Sequence, residues 1–154
     1  MNMTNLIDET LIQLNLKSKT KTEVISEMVS MLHKANRISD EKSICEEVMK
    51  REAHGSTGIG FGIAIPHVKS SAVLLPSLVF GQSQLGIDYE SMDDEKAHLF
   101  FMIAVPDTGP DIHLKTLAKL SRHLIDDTFR IELMQAKTQN DILELLNTMD
   151  KEGN

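Results

Sequence analysis

The sequence predicts an α/β protein made of a single domain, in which helices flank a mixed β-sheet. Its 154 residues fit one compact domain. Both ends of the chain carry apolar residues at spacings of three and four, which is typical of helices that pack on a core. The middle carries short apolar runs that suit strands. Helices that bracket a group of strands indicate the α/β class.

Three elements are predicted in the first third of the chain. Apolar and polar residues alternate between residues 11 and 16, which predicts a short strand. A helix is predicted over residues 21–35, where Thr20 or Thr22 can cap the first turn. A second helix is predicted over residues 40–52, because its apolar residues also fall on one stripe.

The middle of the chain changes from helical spacing to glycine-rich and apolar segments. Four of the eight glycines fall within residues 55–62. This composition predicts a flexible loop that joins a short buried apolar piece ending at His67. Strands are predicted at residues 77–82 and 98–105. The second of these is a continuous apolar run, as in strands that are covered on both faces.

The last third of the chain is predicted to be helical. Three amphipathic segments cover residues 113–125, 129–134 and 138–149. The pattern ends at Asp150, from which we expect a short tail. The domain is therefore assigned to residues 1–150 and the C-terminal tail to residues 151–154.

Composition excludes several classes of function. The net charge of −7 argues against nucleic-acid binding and against docking on anionic lipid. A single cysteine, Cys45, excludes both a disulfide within the chain and a zinc site built from cysteines, and its place on an apolar helical stripe predicts a buried, inert thiol. No signal-peptide core and no apolar run of about 18 residues is present, so a cytoplasmic protein is expected. The six histidines lack metal-ligand spacing, and no nucleotide-binding loop is present, so no metal and no cofactor is predicted.

His67 is the histidine whose surroundings favour a chemical role. It follows Pro66, which fixes its own φ angle and restricts Ile65, so the backbone that leads to the imidazole is stiff. The glycines upstream allow other backbone to approach closely. A purely structural reading, in which His67 only ends a strand, stays open on these observations.

Several blocks of sequence resemble one family in order along nearly the whole chain. The blocks are Arg51-Glu52, Ser56-Thr57-Gly58-Ile59-Gly60, Gly62-Ile63-Ala64-Ile65-Pro66-His67, Gly86-Ile87-Asp88-Tyr89, residues 98–104 and His113-Leu114 with residues 117–121. They resemble the enzyme IIA domain of the fructose/mannitol class, which belongs to the bacterial phosphoenolpyruvate-dependent sugar phosphotransferase system. The fructose-like branch resembles the chain more than the nitrogen-related branch does. The family's mixed sheet with flanking helices agrees with the fold predicted above.

The resemblance implies a role for three residues. The family's phosphorylated histidine falls on His67, its arginine near the phosphate on Arg51, and its second active-site histidine on His113. A neutral imidazole nitrogen is a competent nucleophile near neutral pH, and a guanidinium offers a charged fork of donors for phosphate. His113 lies near a predicted helix N-terminus, where N–H groups can bind phosphate. Without the resemblance, Arg51 can equally be a residue at a helix end that interacts with the helix dipole. His113 can equally be an exposed residue of a first helical turn.

The resemblance also implies the partners. Family members accept a phosphoryl group from the carrier HPr and pass it to a cysteine of a IIB domain, and a membrane IIC component then takes up the sugar. An alternative is a nitrogen-type regulatory protein, in which phosphorylation controls binding to other proteins. A metal-dependent hydrolase is a third reading, which the histidine spacing disfavours.

Two finer expectations concern the surroundings of His67. A hydroxyl of Ser56 or Thr57 can add a donor for the phosphoryl group. An apolar surface that includes Ile59 and Phe61 is expected near His67 as a docking patch for partner proteins.

Overall fold

A mixed β-sheet of six strands forms the centre of the protein. The computed structural model describes the backbone of residues 2–109 and 112–152, and the side chains of these residues except 112, 113 and 152. The strands are β1 (Ile12–Gln13), β2 (Gly58–Gly60), β3 (Ile63–Ala64), β4 (His67–Lys69), β5 (Ser77–Ile87) and β6 (Ala97–Val105). The helices are α1 (Lys21–Lys34), α2 (Glu41–Glu52), α3 (Ile112–Leu124), α4 (Asp127–Gln135) and α5 (Gln139–Glu152). The predicted α/β class is confirmed.

The strand order places the glycine-rich segment beside the longest apolar strand. The order is β1-β5-β6-β3-β2, and β4 also pairs with β6. The β5–β6 and β2–β3 pairs are antiparallel, whereas β1 runs parallel to β5, and β3 and β4 run parallel to β6. Strands β3 and β4 follow one another along the same edge of β6, so β6 sets the position of both.

Strand β6 is the most buried element of the sheet. The residues from Phe100 to Ala104 are each 0% exposed, and successive side chains of a strand point to opposite faces. Both faces of β6 are therefore covered, as the continuous apolar run predicts. Helix α3 packs on β6, and α1 packs on β5 and α2.

Both N-terminal helices begin where the sequence predicts. The Thr20 hydroxyl accepts a hydrogen bond from the Glu23 N–H at the start of α1, and the Asp40 carboxylate accepts one from the Ser43 N–H at the start of α2. These caps satisfy N–H groups that have no partner inside the helix. Helix α2 ends at Glu52, as predicted.

Four predictions of local structure are wrong. The strand predicted over residues 11–16 is limited to β1, which spans only Ile12–Gln13. The segment expected to be a loop followed by one apolar piece forms the three short strands β2, β3 and β4. Strand β5 extends past the predicted end at Gln82 to Ile87, because β6 continues to pair with it as far as Ala97. The tail expected from Asp150 belongs to α5 through Glu152, and Asp150 is only 3% exposed.

Asp150 is buried because it joins the two ends of the chain. Its carboxylate accepts hydrogen bonds from the Met3 N–H at 2.6 Å and from the Thr4 N–H at 3.1 Å, and it pairs with the Lys119 ammonium at 3.0 Å. Among the helices of the described residues, none combines the length and the apolar character that a membrane crossing requires.

Candidate functional site

His67 is the first residue of β4, and the sheet fixes its backbone. Strand β4 pairs with β6 so that His67 lies opposite Ile103, and the Ile103 N–H donates to the carbonyl of Pro66 at 3.0 Å. Pro66 and Val68 on either side are buried, whereas His67 is half-buried. The imidazole is therefore presented at the surface by a rigid, buried segment.

A backbone contact selects the tautomer of the neutral His67 ring. The Nδ1 atom lies 3.0 Å from the carbonyl oxygen of Ile65. A carbonyl oxygen only accepts hydrogen bonds, so Nδ1 carries the proton and donates it. In the neutral ring the lone pair is then on Nε2, which is the nitrogen that can attack an electrophile.

Arg51 lies in the last turn of α2, and the loop that follows orients it. Its guanidinium is exposed, and the Nη1–H donates to the carbonyl of Gly55 at 2.9 Å. Gly55 adopts a φ of +149°, which side chains disfavour and glycine allows. The bond uses one of the five guanidinium N–H donors, so the fork keeps donors for an anionic group.

His67 and Arg51 line one open cleft of about 360 Å³. The other lining residues are Glu47, Lys50, His54, Val68 and Lys69. Among the described residues, the cleft thus holds three permanent cations and one carboxylate, on a protein whose net charge is −7. This local excess of positive charge suits a doubly charged phosphoryl group.

Sequence reasoning did not identify Lys50, His54 or Lys69 as residues of the site. Two spacing signals point to the two lysines. Residues 50 and 51 lie on the side of α2 that carries residue 47, because they follow it by three and four positions. His54 lies in the turn that follows the helix. Lys69 follows His67 by two positions, so both side chains leave β4 on the same face.

His113 is the second residue of α3. Its side chain lies outside the described residues, so its proposed role stays a prediction. Helix α3 follows β6, whose last residue, Val105, pairs with Lys69 at the end of β4. Helix α3 therefore follows the end of the sheet at which β4 and β6 both terminate.

The hydroxyls of Ser56 and Thr57 are engaged within the protein. The Ser56 hydroxyl donates to the carbonyl of Tyr89 at 2.7 Å, and the Thr57 hydroxyl donates to the buried Glu52 carboxylate. Burial raises the pKa of the Tyr89 phenol well above its usual range, and the negative charge of Glu52 raises it further. These contacts hold the loop between α2 and β2, and they leave no support for the expected hydroxyl donor to phosphate.

Phe61, which the expected docking patch includes, does not lie beside His67. Phe61 is 66% exposed and lines a separate groove of about 550 Å³ with residues of β6 and α4. The Arg130 guanidinium stacks on its ring at 4.9 Å. Along β6, β3 pairs near Leu99 and β4 near Ile103, which at about 3.3 Å per residue separates their levels by roughly 13 Å. Phe61 does not line the cleft of His67.

Cys45 is half-buried rather than fully buried. Partial burial raises the pKa of its thiol, and the negative charge of Glu41 adds to this effect. The thiol is therefore poorly ionised at neutral pH, which agrees with the predicted inert character.

A family model matches residues 5–149, and it describes the EIIA 2 component of the phosphoenolpyruvate-dependent sugar phosphotransferase system. The chain is 42% identical over 151 residues to the "PTS system fructose-specific EIIABC component" of Bacillus subtilis, of which it spans 24%. It is 38% identical to the "PTS system fructose-specific EIIA component" of Haloferax volcanii and covers 88% of both chains. It is 31% identical to a "Nitrogen regulatory protein" of Bradyrhizobium diazoefficiens and covers 95% of each chain.

A solved structure agrees with these matches. The fold superimposes on the Escherichia coli "complex of enzyme IIAMTL and phosphorylated enzyme IIBMTL" with a TM-score of 0.80 and 25% identity, over 92% of this chain and 97% of that chain. The sequence and fold matches both extend over nearly the whole chain, as does the resemblance in its motifs. The chain therefore belongs to the EIIA 2 family, whose members are phosphocarrier components of the sugar phosphotransferase system.

Proposed function

We propose that this protein accepts a phosphoryl group from phospho-HPr on Nε2 of His67 and passes it to the cysteine of a IIB partner. The observation that carries the proposal is the hydrogen bond from Nδ1 of His67 to the Ile65 carbonyl, inside a cleft that also holds Arg51. That bond directs the lone pair of the neutral ring to Nε2. The positive charge of the cleft supplies the environment that a transferring phosphoryl group needs.

In the first transfer, the Nε2 lone pair attacks the phosphorus of phospho-HPr. The Nε2–P bond forms as the N–P bond of the donor breaks, and the electron pair of that bond returns to the imidazole of HPr. The His67 ring keeps its Nδ1 proton and becomes positively charged, so the bond to the Ile65 carbonyl strengthens. The guanidinium of Arg51 stabilises the charge on the phosphoryl oxygens.

In the second transfer, a thiolate of the IIB partner attacks the same phosphorus. The S–P bond forms and the Nε2–P bond breaks, which restores the neutral ring with its proton on Nδ1. A membrane IIC component then couples phosphorylation to uptake of the sugar. The Escherichia coli complex of a IIA with a phosphorylated IIB supports this partner, and the names of the relatives from Bacillus subtilis and Haloferax volcanii support a fructose-type sugar.

His113 is proposed as the second residue that stabilises the phosphoryl group. Its position in the first turn of α3 supports this role, because N–H groups of a first turn have no partner within the helix and attract anions.

A second candidate function is regulation by phosphorylation-dependent binding, as in a nitrogen-type protein. The relative from Bradyrhizobium diazoefficiens favours it, because that match covers 95% of each chain. In this case His67 is phosphorylated in the same way, but no IIB partner is required for the function. Transfer from phospho-His67 to a IIB protein separates the two candidates.

Intact mass measured after incubation with phosphoenolpyruvate, enzyme I and HPr tests the acceptor. The wild type should gain one acid-labile phosphoryl group and His67→Ala none. His54→Ala is a matched control, because His54 lines the same cleft, and this variant should still be phosphorylated. Absence of added mass on folded wild type contradicts the proposal, and so does full phosphorylation of His67→Ala. Addition of a IIB protein should then remove the group from the wild type.

A further inference from the structure

A chain of hydrogen bonds, which is buried at Glu52 and Thr57, connects Glu52 to the half-buried His67 ring. The Glu52 side chain accepts hydrogen bonds from the N–H of Thr57 at 3.0 Å and from its hydroxyl. The carbonyl of Thr57 accepts from the N–H of Ile65 at 3.0 Å. The carbonyl of Ile65 in turn accepts from Nδ1 of His67 at 3.0 Å. We infer that Glu52 is a positioning residue, which fixes the tautomer and orientation of His67 through Thr57 and Ile65.

The buried carboxylate is held in place by an ion pair. Glu52 is only 5% exposed, and the Lys21 ammonium lies 3.0 Å from its Oε1 atom. The same ammonium lies 3.2 Å from Glu90 and 4.7 Å from the centre of the Tyr89 ring. A buried carboxylate needs such compensation to remain charged. The Glu52 side chain is therefore held in one position, unlike the side chain of an exposed glutamate.

Glu52 also secures the loop that orients Arg51. The two residues are neighbours in the last turn of α2, and the main-chain carbonyl of Glu52 accepts from the N–H of Gly55 at 3.0 Å. The carbonyl of Gly55 accepts from the Arg51 guanidinium. The backbone of Glu52 therefore supports the partner of Arg51, while its side chain supports the partner of His67. One residue links both sides of the cleft.

The consequence for the reaction follows from the tautomer. If Thr57 is released, the Ile65 carbonyl loses its fixed position and the bond to Nδ1 of His67 weakens. The proton then moves in part to Nε2, and an Nε2–H has no lone pair with which to attack phosphorus. Glu52 contacts no reacting atom, so its effect on transfer is indirect.

This inference rests on the proposed function, but its first readout does not require phosphoryl transfer. Long-range ¹H–¹⁵N NMR on unphosphorylated protein reports which ring nitrogen of His67 carries the proton. Wild type should show the Nδ1–H tautomer. In Glu52→Ala the ratio of Nδ1–H to Nε2–H should fall about fivefold, as expected when one hydrogen bond is weakened. In Glu52→Gln it should stay within about twofold of the wild-type ratio, because the amide oxygen can still accept from the Thr57 N–H.

Rates of transfer from phospho-HPr give the second readout. Glu52→Ala should be slower by about tenfold or more, because small displacements of a nucleophile are costly, and Glu52→Gln should recover most of the rate. Asp150→Ala is the matched control. Asp150 is another buried carboxylate that binds backbone N–H groups, a threonine hydroxyl and a lysine, but it belongs to no part of the cleft. Its loss should leave both the tautomer and the rate unchanged.

Each outcome separates the inference from the function on which it rests. An unchanged tautomer in folded Glu52→Ala overturns the positioning role, even if the wild type is phosphorylated. A wild type that shows the Nδ1–H tautomer and is never phosphorylated overturns the proposed function instead. If Glu52→Ala does not fold, Thr57→Val decides, because it removes only the hydroxyl contact. It should slow transfer about threefold with a measurable change of tautomer, and wild-type values for both contradict the inference.

Discussion

Replacing Arg51 with alanine should slow phosphoryl transfer to His67 by about a hundredfold. Removal of one preorganised donor from a site of developing negative charge typically costs about 10²–10³ in rate. Arg51 is exposed, and Lys50 and Lys69 remain in the cleft, so the lower end of this range applies. A hundredfold loss corresponds to about 2.7 kcal/mol of lost transition-state stabilisation.

Two further variants test the physical reason for that magnitude. Arg51→Lys keeps the charge but loses the planar fork of donors, so a loss of about tenfold is expected. Lys50→Ala removes a neighbouring charge from the cleft and should cost about threefold or less, because Lys50 is exposed to solvent.

The assay is rapid-quench measurement of phosphoryl transfer from phospho-HPr, with thermal unfolding measured in parallel. Arg51→Ala loses one exposed hydrogen bond, to Gly55, which is worth about 1 kcal/mol or less, so the variant should remain folded. A folded Arg51→Ala protein that transfers at the wild-type rate would refute the role of Arg51. If Arg51→Lys and Arg51→Ala lose the same factor in transfer rate, the planar fork of donors accounts for the whole effect of Arg51. If Arg51→Lys transfers at the wild-type rate, the positive charge accounts for it.

Two other predictions concern the rest of the molecule. Burial by itself raises the pKa of Asp150, but hydrogen bonds from Met3, Thr4 and Lys119 outweigh it and lower the pKa below 3.8. The stabilisation is therefore present above about pH 4 and is lost as the pH falls through the lowered value. Asp150→Ala should cost about 3 kcal/mol in urea unfolding at pH 7, because it leaves a buried Lys119 without its partner, and the difference from wild type should shrink below pH 4. A constant difference at all pH values would be inconsistent with this charge coupling. Phe61→Ala should accept phosphoryl groups at the wild-type rate, because Phe61 lines another groove. A clear decrease of the transfer rate in rapid-quench measurements would instead support a docking patch that includes Phe61.

The helices could be predicted closely because their signals are local. The caps at Thr20 and Asp40 and the apolar stripes of α1 and α2 are contained in the segments themselves. The short strands β2, β3 and β4 have no comparable signal, since each spans two or three residues. They form because β3 and β4 pair with β6, and β2 pairs with β3. A glycine-rich sequence carries no local signal for such pairing.

The candidate site could be predicted in part. The stiff backbone at Pro66 indicates His67 as a candidate, and the family resemblance implies the roles of His67, Arg51 and His113. The remaining charge of the cleft depends on the packing of α2 against β4, which brings Lys50 close to Lys69. The Glu52–Thr57 contact could not be read from sequence either, because the spacing of five residues becomes a hydrogen bond only when the loop after α2 turns back.

The location of the phosphoryl group on the histidine ring tests the central claim most directly. Protein labelled with ¹⁵N on histidine is phosphorylated through HPr and studied by ³¹P and long-range ¹H–¹⁵N NMR at alkaline pH, where phosphohistidine persists. We expect a single phosphohistidine, at His67, with phosphorus on Nε2 and the proton retained on Nδ1 beside the Ile65 carbonyl. Phosphorus on Nδ1, or on any other histidine of the chain, would contradict the account.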